Sequence, residues 1–194
     1  MKILVFDLGG QYSHLIWRNL RDLEIEAYLV KKNFSYEKVL DYDAIIFSGG
    51  PSSVTSNAYD TCEIILSDIK KGNLSKPVLG ICLGHQLIAH RFGGNVEKGK
   101  KGEYGLIQVE IIQDSRLLEN IERKFDAWAS HFDVVSKLPD NFILTAITSY
   151  DKESICEAIE HERKDIFSVQ FHPEVYHTKV GVKIFENFVK IAKK

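Results

Sequence analysis

No apolar run in this 194-residue chain approaches the ~20 residues that a membrane-spanning helix needs. The opening stretch MKILVFDLGG is a poor signal segment, because an acid and two glycines interrupt it after a few apolar residues. It reads as a first strand. An excess of one charge is also lacking. Lys and Arg total 25 against 27 Asp and Glu, for a formal charge of −2. That balance offers no footprint for nucleic acid or an anionic membrane. The nearest approach to a basic cluster, Lys98, Lys100 and Lys101, reads as a solvated turn. Cysteine is scarce: Cys62, Cys82 and Cys156 are odd in number and unrelated in spacing, which argues against a disulfide framework and a zinc site. A reducing, cytoplasmic setting is expected.

Nucleotide loops are missing as well. Gly9-Gly10 follows the first strand without completing G-x-G-x-x-G. The stretch from Gly94 to Lys101 nearly spells a P-loop, but Lys101 stands where Ser or Thr must hold Mg²⁺, and a helical pattern precedes it. FSGGPSS (Phe47 to Ser53) resembles an ATP-pyrophosphatase SGGxDS loop, yet Ser52 replaces the acid and Pro51 removes an N–H. No metal or nucleotide site is expected on this chain.

What is present is an alternating first half. KILVFDLGG, EAYLV, YDAIIFSGGP and PVLGIC read as strands. They lack polar alternation, as expected for strands buried on both faces of a parallel sheet. Between them, QYSHLIWRNLRDL, AYDTCEIILSDIKKG and LGHQLIAHRFGG read as helices, the last two closed by glycine. The second half is a series of strand-like segments: YGLIQVEII, KFDAWASHFDVV, FILTAITSY, SICEAIEHE and IFSVQFHPE. A final helix, KVGVKIFENFVKIAKK, follows. No linker or repeat divides the chain. The expectation is one domain over residues 1–194: a doubly wound, mostly parallel α/β sheet with a small antiparallel extension. Sites in such sheets lie at the carboxyl ends of strands.

Three strand ends carry candidate chemistry. Gly80-Ile81-Cys82-Leu83-Gly84 has the form of a nucleophile elbow with cysteine in place of serine. A helix beginning at Leu83 would aim free N–H groups and its positive end at the sulfur. On this segment alone a buried, gap-filling cysteine is an equal alternative. SVQFHPEV places His172 and Glu174 two apart at another strand end, so that a carboxylate can orient an imidazole whose other nitrogen faces a thiol. FSGGPSS offers backbone N–H groups to an oxyanion. Together these favour a Cys82-His172-Glu174 triad. His14, His90 and His161, with Cys62 and Cys156, show no such pattern and read as structural or solvated.

FSGGPSS, GICLGHQ and FHPEV, in that order, resemble the class I (triad) glutamine amidotransferases, and the likeness spans essentially the whole chain. The resemblance implies a flavodoxin-like fold and glutamine as substrate. Cys82 would attack the side-chain amide, with His172 as base and then acid and Glu174 orienting it. Gly49 and Gly50, with the Leu83 N–H, would line the oxyanion site. Gln86 and the backbone around Ser130 and His131 would hold the amino-acid end of glutamine. Asp133 would contact a synthetase, and Phe132 stands where many members carry glycine. Four further stretches, DLGGQYSHLIWR, EYG (Glu103 to Gly105), SHFD (Ser130 to Asp133) and HPEVYHTKVG, resemble one branch of the family. The anthranilate type opens instead with Asp-Asn-Tyr-Asp-Ser-Phe. Single-chain members of that branch continue into an ATP-pyrophosphatase domain, whereas this chain stops at Lys194. The resemblance therefore implies a separate synthetase subunit that binds ATP and Mg²⁺, with no cofactor on this chain. A glutaminase of another branch, or a non-catalytic binding module of the same fold, are the alternatives.

Overall fold

The computed structural model describes residues 1–55, 59–150 and 153–194. Its first half alternates: β1 (Lys2–Asp7), α1 (Ser13–Asp22), β2 (Glu26–Lys31), α2 (Tyr36–Val39), β3 (Ala44–Phe47), α3 (Asp60–Lys71), β4 (Val78–Ile81) and α4 (Leu83–Phe92). Consecutive strands follow: β5 (Asn95–Ile111), β6 (Lys124–Lys137), β7 (Phe142–Tyr150), β8 (Glu153–His161) and β9 (Ile166–Val169). The chain closes with α5 (Gly181–Ala192).

The strands form one sheet in the order β2-β1-β3-β4-β9-β8-β7-β5-β6. Pairing is parallel from β2 to β9 and antiparallel from β9 to β6. A parallel core carrying antiparallel strands is the architecture expected from the sequence. Successive residues of a strand face opposite sides, and β1 shows the consequence. Ile3 and Val5 pack with Ile16 and Leu20 of α1 and with Ile184, Phe185 and Phe188 of α5. Leu4 and Phe6 join Ile65, Leu66 and Leu87 from α3 and α4 on the opposite face. Helices on both faces explain why these strands are apolar throughout.

Two local readings change. The Lys98-Lys100-Lys101 segment lies within β5 rather than in a turn. Lys98 is paired opposite Asp133 in the β5–β6 ladder, and Lys100 and Lys101 lie in the irregularity that follows, before Glu103, so tertiary pairing overrides the local Gly and Lys composition. Lys101 lies over the Tyr150 ring, 3.3 Å from its centroid. The short α2 has no counterpart in the sequence reading; four residues are too few to show a helical period. Ala58, included in the expected third helix, lies outside the described residues. No helix among the described residues is long and apolar enough to cross a membrane.

Candidate active site

The C-terminal ends of β1, β3, β4 and β9 meet at one cleft. At β4 the chain turns without a connecting loop. The Cys82 N–H still donates to Val169 O of β9 at 2.8 Å, and α4 starts at the next residue. The turn forces Cys82 to φ 53°, ψ −106°, a region that non-glycine residues rarely occupy and that costs about 1–3 kcal/mol. Crowding on either side imposes it. A Cβ at position 84 would lie 2.3 Å from Phe47 O, and one at position 80 would lie 2.5 Å from Gly84 O. The two glycines let α4 sit directly on the strand ends, which leaves Cys82 at the apex beside the helix N-terminus.

The loop after β3 is drawn to the same point. Ser48 O accepts the Gly84 N–H at 3.1 Å. A Cβ on Gly49 would stand 3.0 Å from His172 Cε1 and 3.4 Å from Cys82 Cβ. Gly49 is thus in contact with both reactive side chains. After β9, His172 Nδ1 lies 2.8 Å from Glu174 Oε1, and the other side of the ring faces Cys82 across Gly49. Burial alone would lower the pKa of His172. The Glu174 charge, then the hydrogen bonds to Cys82 and Glu174, outweigh it and raise it to about 10. The Tyr12 ring meets the imidazole edge-on, with centroids 5.0 Å apart.

The turn bearing His172 is fastened from behind. Its N–H donates to Trp128 O at 2.8 Å, and its carbonyl accepts the Thr178 hydroxyl at 2.7 Å. Thr178 Oγ1 in turn accepts the Trp128 N–H at 2.9 Å. The chain then passes so close to Pro173 that a Cβ on Gly181 would lie 1.9 Å from Pro173 O. These contacts account for the Thr and Gly of HPEVYHTKVG.

The cleft has a volume of about 280 Å³. Its walls are Gly9 to Ser13, Gly49 to Pro51, Cys82, Ser130, His172 and Glu174. Of the sequence-derived candidates it brings together Cys82, His172, Glu174, Gly49, Gly50 and Ser130. Leu83, Gln86 and His131 are not among the lining residues. The Gln86 amide turns inward, donating to Asp133 O at 2.9 Å and Gln170 Oε1 at 3.1 Å. His131 Nε2 lies 2.8 Å from Glu103 Oε2 in the interior. Leu83 packs its side chain under Gly50, and its N–H stands at the start of α4. Asp133 is half-buried on β6.

Sequence reasoning gave no role to the β1–α1 loop. Here Ser13 Oγ lies 2.9 Å from Asp7 Oδ1 and 3.0 Å from Ser48 Oγ, tying this loop to the Gly49 loop. Burial opposes ionisation of Asp7, but Lys31, the Gly9 N–H and the Ser13 hydroxyl hold its pKa below the usual carboxylate value. The available signal was positional: this glycine loop ends β1, next to β3 in the sheet. Cys62 and Cys156 lie in the core, where burial pushes both thiols up. Cys156 Sγ nevertheless stands 3.9 Å from His85 Nε2, a neighbour absent from its local sequence. Burial, and then the charge of His131, pushes His85 down to about 3.

The family described as glutamine amidotransferase class-I matches residues 4–192. A glutamine-hydrolysing GMP synthase subunit from Archaeoglobus fulgidus is 45% identical over 197 residues, covering 100% of both chains. The corresponding subunit of Pyrococcus furiosus is 45% identical over 193 residues, 97% of each chain. Among solved structures, a protein from Thermoplasma acidophilum assigned as a GMP synthase subunit superposes with a TM-score of 0.87. It is 32% identical, and the match covers 100% of this chain and 94% of that one. A glutamine amidotransferase from Thermotoga maritima shares the fold, with a TM-score of 0.80 at 17% identity over 99% of this chain and 97% of that one.

Proposed function

The chain belongs to the class-I glutamine amidotransferase family, and from that premise we propose that it is the glutamine-hydrolysing subunit of a two-subunit GMP synthase. The observation that carries the reading is the strained Cys82 elbow facing a His172–Glu174 pair across Gly49. Relatives named for this activity match along the entire chain, and the four branch-specific stretches favour the same member.

The chemistry follows from the geometry. Glutamine enters the cleft with its side-chain amide carbon at Cys82 Sγ. As the sulfur attacks, negative charge develops on the amide oxygen, and the N–H groups of Leu83 and Gly50 stabilise it. The thiol proton already rests on His172, whose pKa is raised to about 10, and passes from there to the departing nitrogen, so that ammonia leaves and a γ-glutamyl thioester remains. Water, deprotonated by His172, then attacks the thioester and releases glutamate. His172 keeps the proton taken from water, which restores the starting pair. Glu174 keeps Nδ1 oriented and balances the imidazolium in each step. In this scheme Ser130 bounds the amino-acid end of glutamine, with Gln86 and His131 supporting that wall from behind.

Ammonia is used elsewhere. A separate synthetase subunit of the ATP-pyrophosphatase type, carrying ATP and Mg²⁺, converts XMP to GMP. Asp133 and the exposed apolar residues Tyr104, Leu106 and Phe132, around the Ser130 edge of the sheet, form the face that this subunit covers. Glutamine hydrolysis is weak in the isolated chain and rises with the nucleotide-loaded partner. Both subunits are cytoplasmic.

Reconstitution with the synthetase subunit tests the assignment. Cys82→Ser is expected to lower glutamine-dependent GMP formation by about 10³-fold or more, the scale of losing a covalent nucleophile, while added ammonia still supports synthesis. Loss of both activities would make Cys82 structural.

A further inference from the structure

Two branch-specific stretches, EYG and SHFD, meet inside the protein rather than at the cleft. Glu103 and His131 are register partners across β5 and β6, and Nε2 of His131 lies 2.8 Å from Glu103 Oε2. A second carboxyl group joins them from β8. Ala146 pairs with Ala158 and Ile147 with Cys156, so Glu157 is the extra residue of a bulge, a device that re-aims a side chain. Thr148 Oγ1 lies 2.8 Å from Glu103 Oε1 and 3.2 Å from Glu157 Oε1. One ligand atom each from Glu103, His131 and Glu157 falls within 4.8 Å of the others. Glu103, His131 and Glu157 are all buried, Glu157 completely.

Two carboxylates this close and this dry cannot both be ionised. Burial, then the charge of Glu103, drives the Glu157 carboxyl well above its usual range. Burial also opposes ionisation of Glu103, but the neighbouring His131, Glu157 and Tyr150 and the hydrogen bond from Thr148 hold its pKa below the usual carboxylate range. Glu157 therefore keeps a proton and Glu103 a charge. The backbone carries the arrangement toward the cleft. Glu157 O accepts the Gln170 N–H at 2.8 Å. Gln170 Oε1 accepts from Gln86, which also holds Asp133 O. His131 Nδ1 lies 3.2 Å from the same Asp133 O. Ser130, the residue before His131, lines the cleft.

We propose that Glu103, Glu157 and His131 are positioning residues that share one carboxyl proton and a carboxylate–imidazole contact to hold the Ser130 wall of the cleft in place. They set the KM for glutamine without touching it. The kinetic consequence rests on the glutaminase reading above; the shared proton does not.

The test uses the chain in complex with its synthetase subunit. Glu103→Gln leaves His131 without its anion and is expected to raise KM for glutamine about tenfold with kcat within about twofold, the scale of one charged hydrogen bond. Glu157→Gln retains a donor toward Glu103 and should cost less than about threefold, whereas Glu157→Leu removes the donor and should match Glu103→Gln. Infrared difference spectra at neutral pH should show a protonated carboxyl band in wild type that Glu157→Gln lacks, with circular dichroism reporting the fold of each variant. A wild-type complex that does not hydrolyse glutamine refutes the functional reading, and the infrared band then still judges the shared proton. An active wild type with KM unchanged in Glu103→Gln overturns the positioning role. So does an equal fall in kcat, or a missing carboxyl band. A divalent ion retained stoichiometrically by wild type and lost in Glu157→Gln would replace the proton with a metal.

Discussion

The parallel and antiparallel parts of the sheet hold the cleft by different means. β1, β3 and β4 bury only apolar side chains and glycine between two helical layers. Their precision comes from backbone contact, as where Gly84 packs on Phe47 O. β5 to β8 bury Glu103, His131, Thr145, Thr148, Glu157 and Glu160, and cross-strand neighbours supply the partners. Arg116, on the connection between β5 and β6, likewise reaches Glu160 at 2.7 Å. Apolar packing between rigid layers can hold one residue in a strained conformation, because nothing nearby can yield without opening a void. Charge pairing holds a segment only while its protons and partners stay in place. The nucleophile stands on the first kind of support and the Ser130 wall on the second.

Glycine substitutions are the sharpest way to break that contrast. Gly84→Ala puts a methyl group 2.3 Å from a backbone oxygen and should cost about 3 kcal/mol or more, since the backbone must move. Urea unfolding measures this, and a loss below about 1 kcal/mol would mean that the parallel frame is more compliant than its contacts imply. The next effect belongs to the triad. Glu174→Gln removes the leading cause that raises His172, so the imidazole should titrate lower and kcat should fall about 10- to 100-fold. The sign of the pH effect on stability follows. With a folded value near 10 against 6.5 for the unfolded chain, His172 stabilises fully below pH 6.5, and that contribution is lost as pH rises toward 10. Glu174→Gln should flatten this alkaline decline, and an unchanged slope of stability with pH would remove His172 as its source. The smallest effect is expected in the antiparallel part. Gly105 has φ +102°, and a Cβ added there would meet nothing within 4 Å, so Gly105→Ala should cost only about 1 kcal/mol of backbone strain in thermal unfolding. Equal losses at Gly84 and Gly105 would erase the distinction between crowding and conformation.

The parallel half was legible because its signals are local. Unbroken apolar runs mark doubly buried strands, and glycines at strand ends mark the turns that follow. Cys82 sits at such an end, and His172 and Glu174 follow the end of β9 at Val169. The course of β5 was not legible before Glu103, because a Gly- and Lys-rich segment becomes a strand only through its ladder with β6. Gln86 shows the same limit. Its position one turn beyond Cys82 is evident in sequence, but its amide direction depends on Asp133 and Gln170, 47 and 84 residues away.

Local pattern is thus enough for the doubly wound order of elements and for the three strand ends where a triad could assemble, because hydrophobic period and glycine placement act over a few residues. Which side chains face the cleft is settled in three dimensions alone. Burial leaves each polar group to find a partner in space, and for Gln86, His131 and Glu103 those partners lie in the interior, behind Ser130.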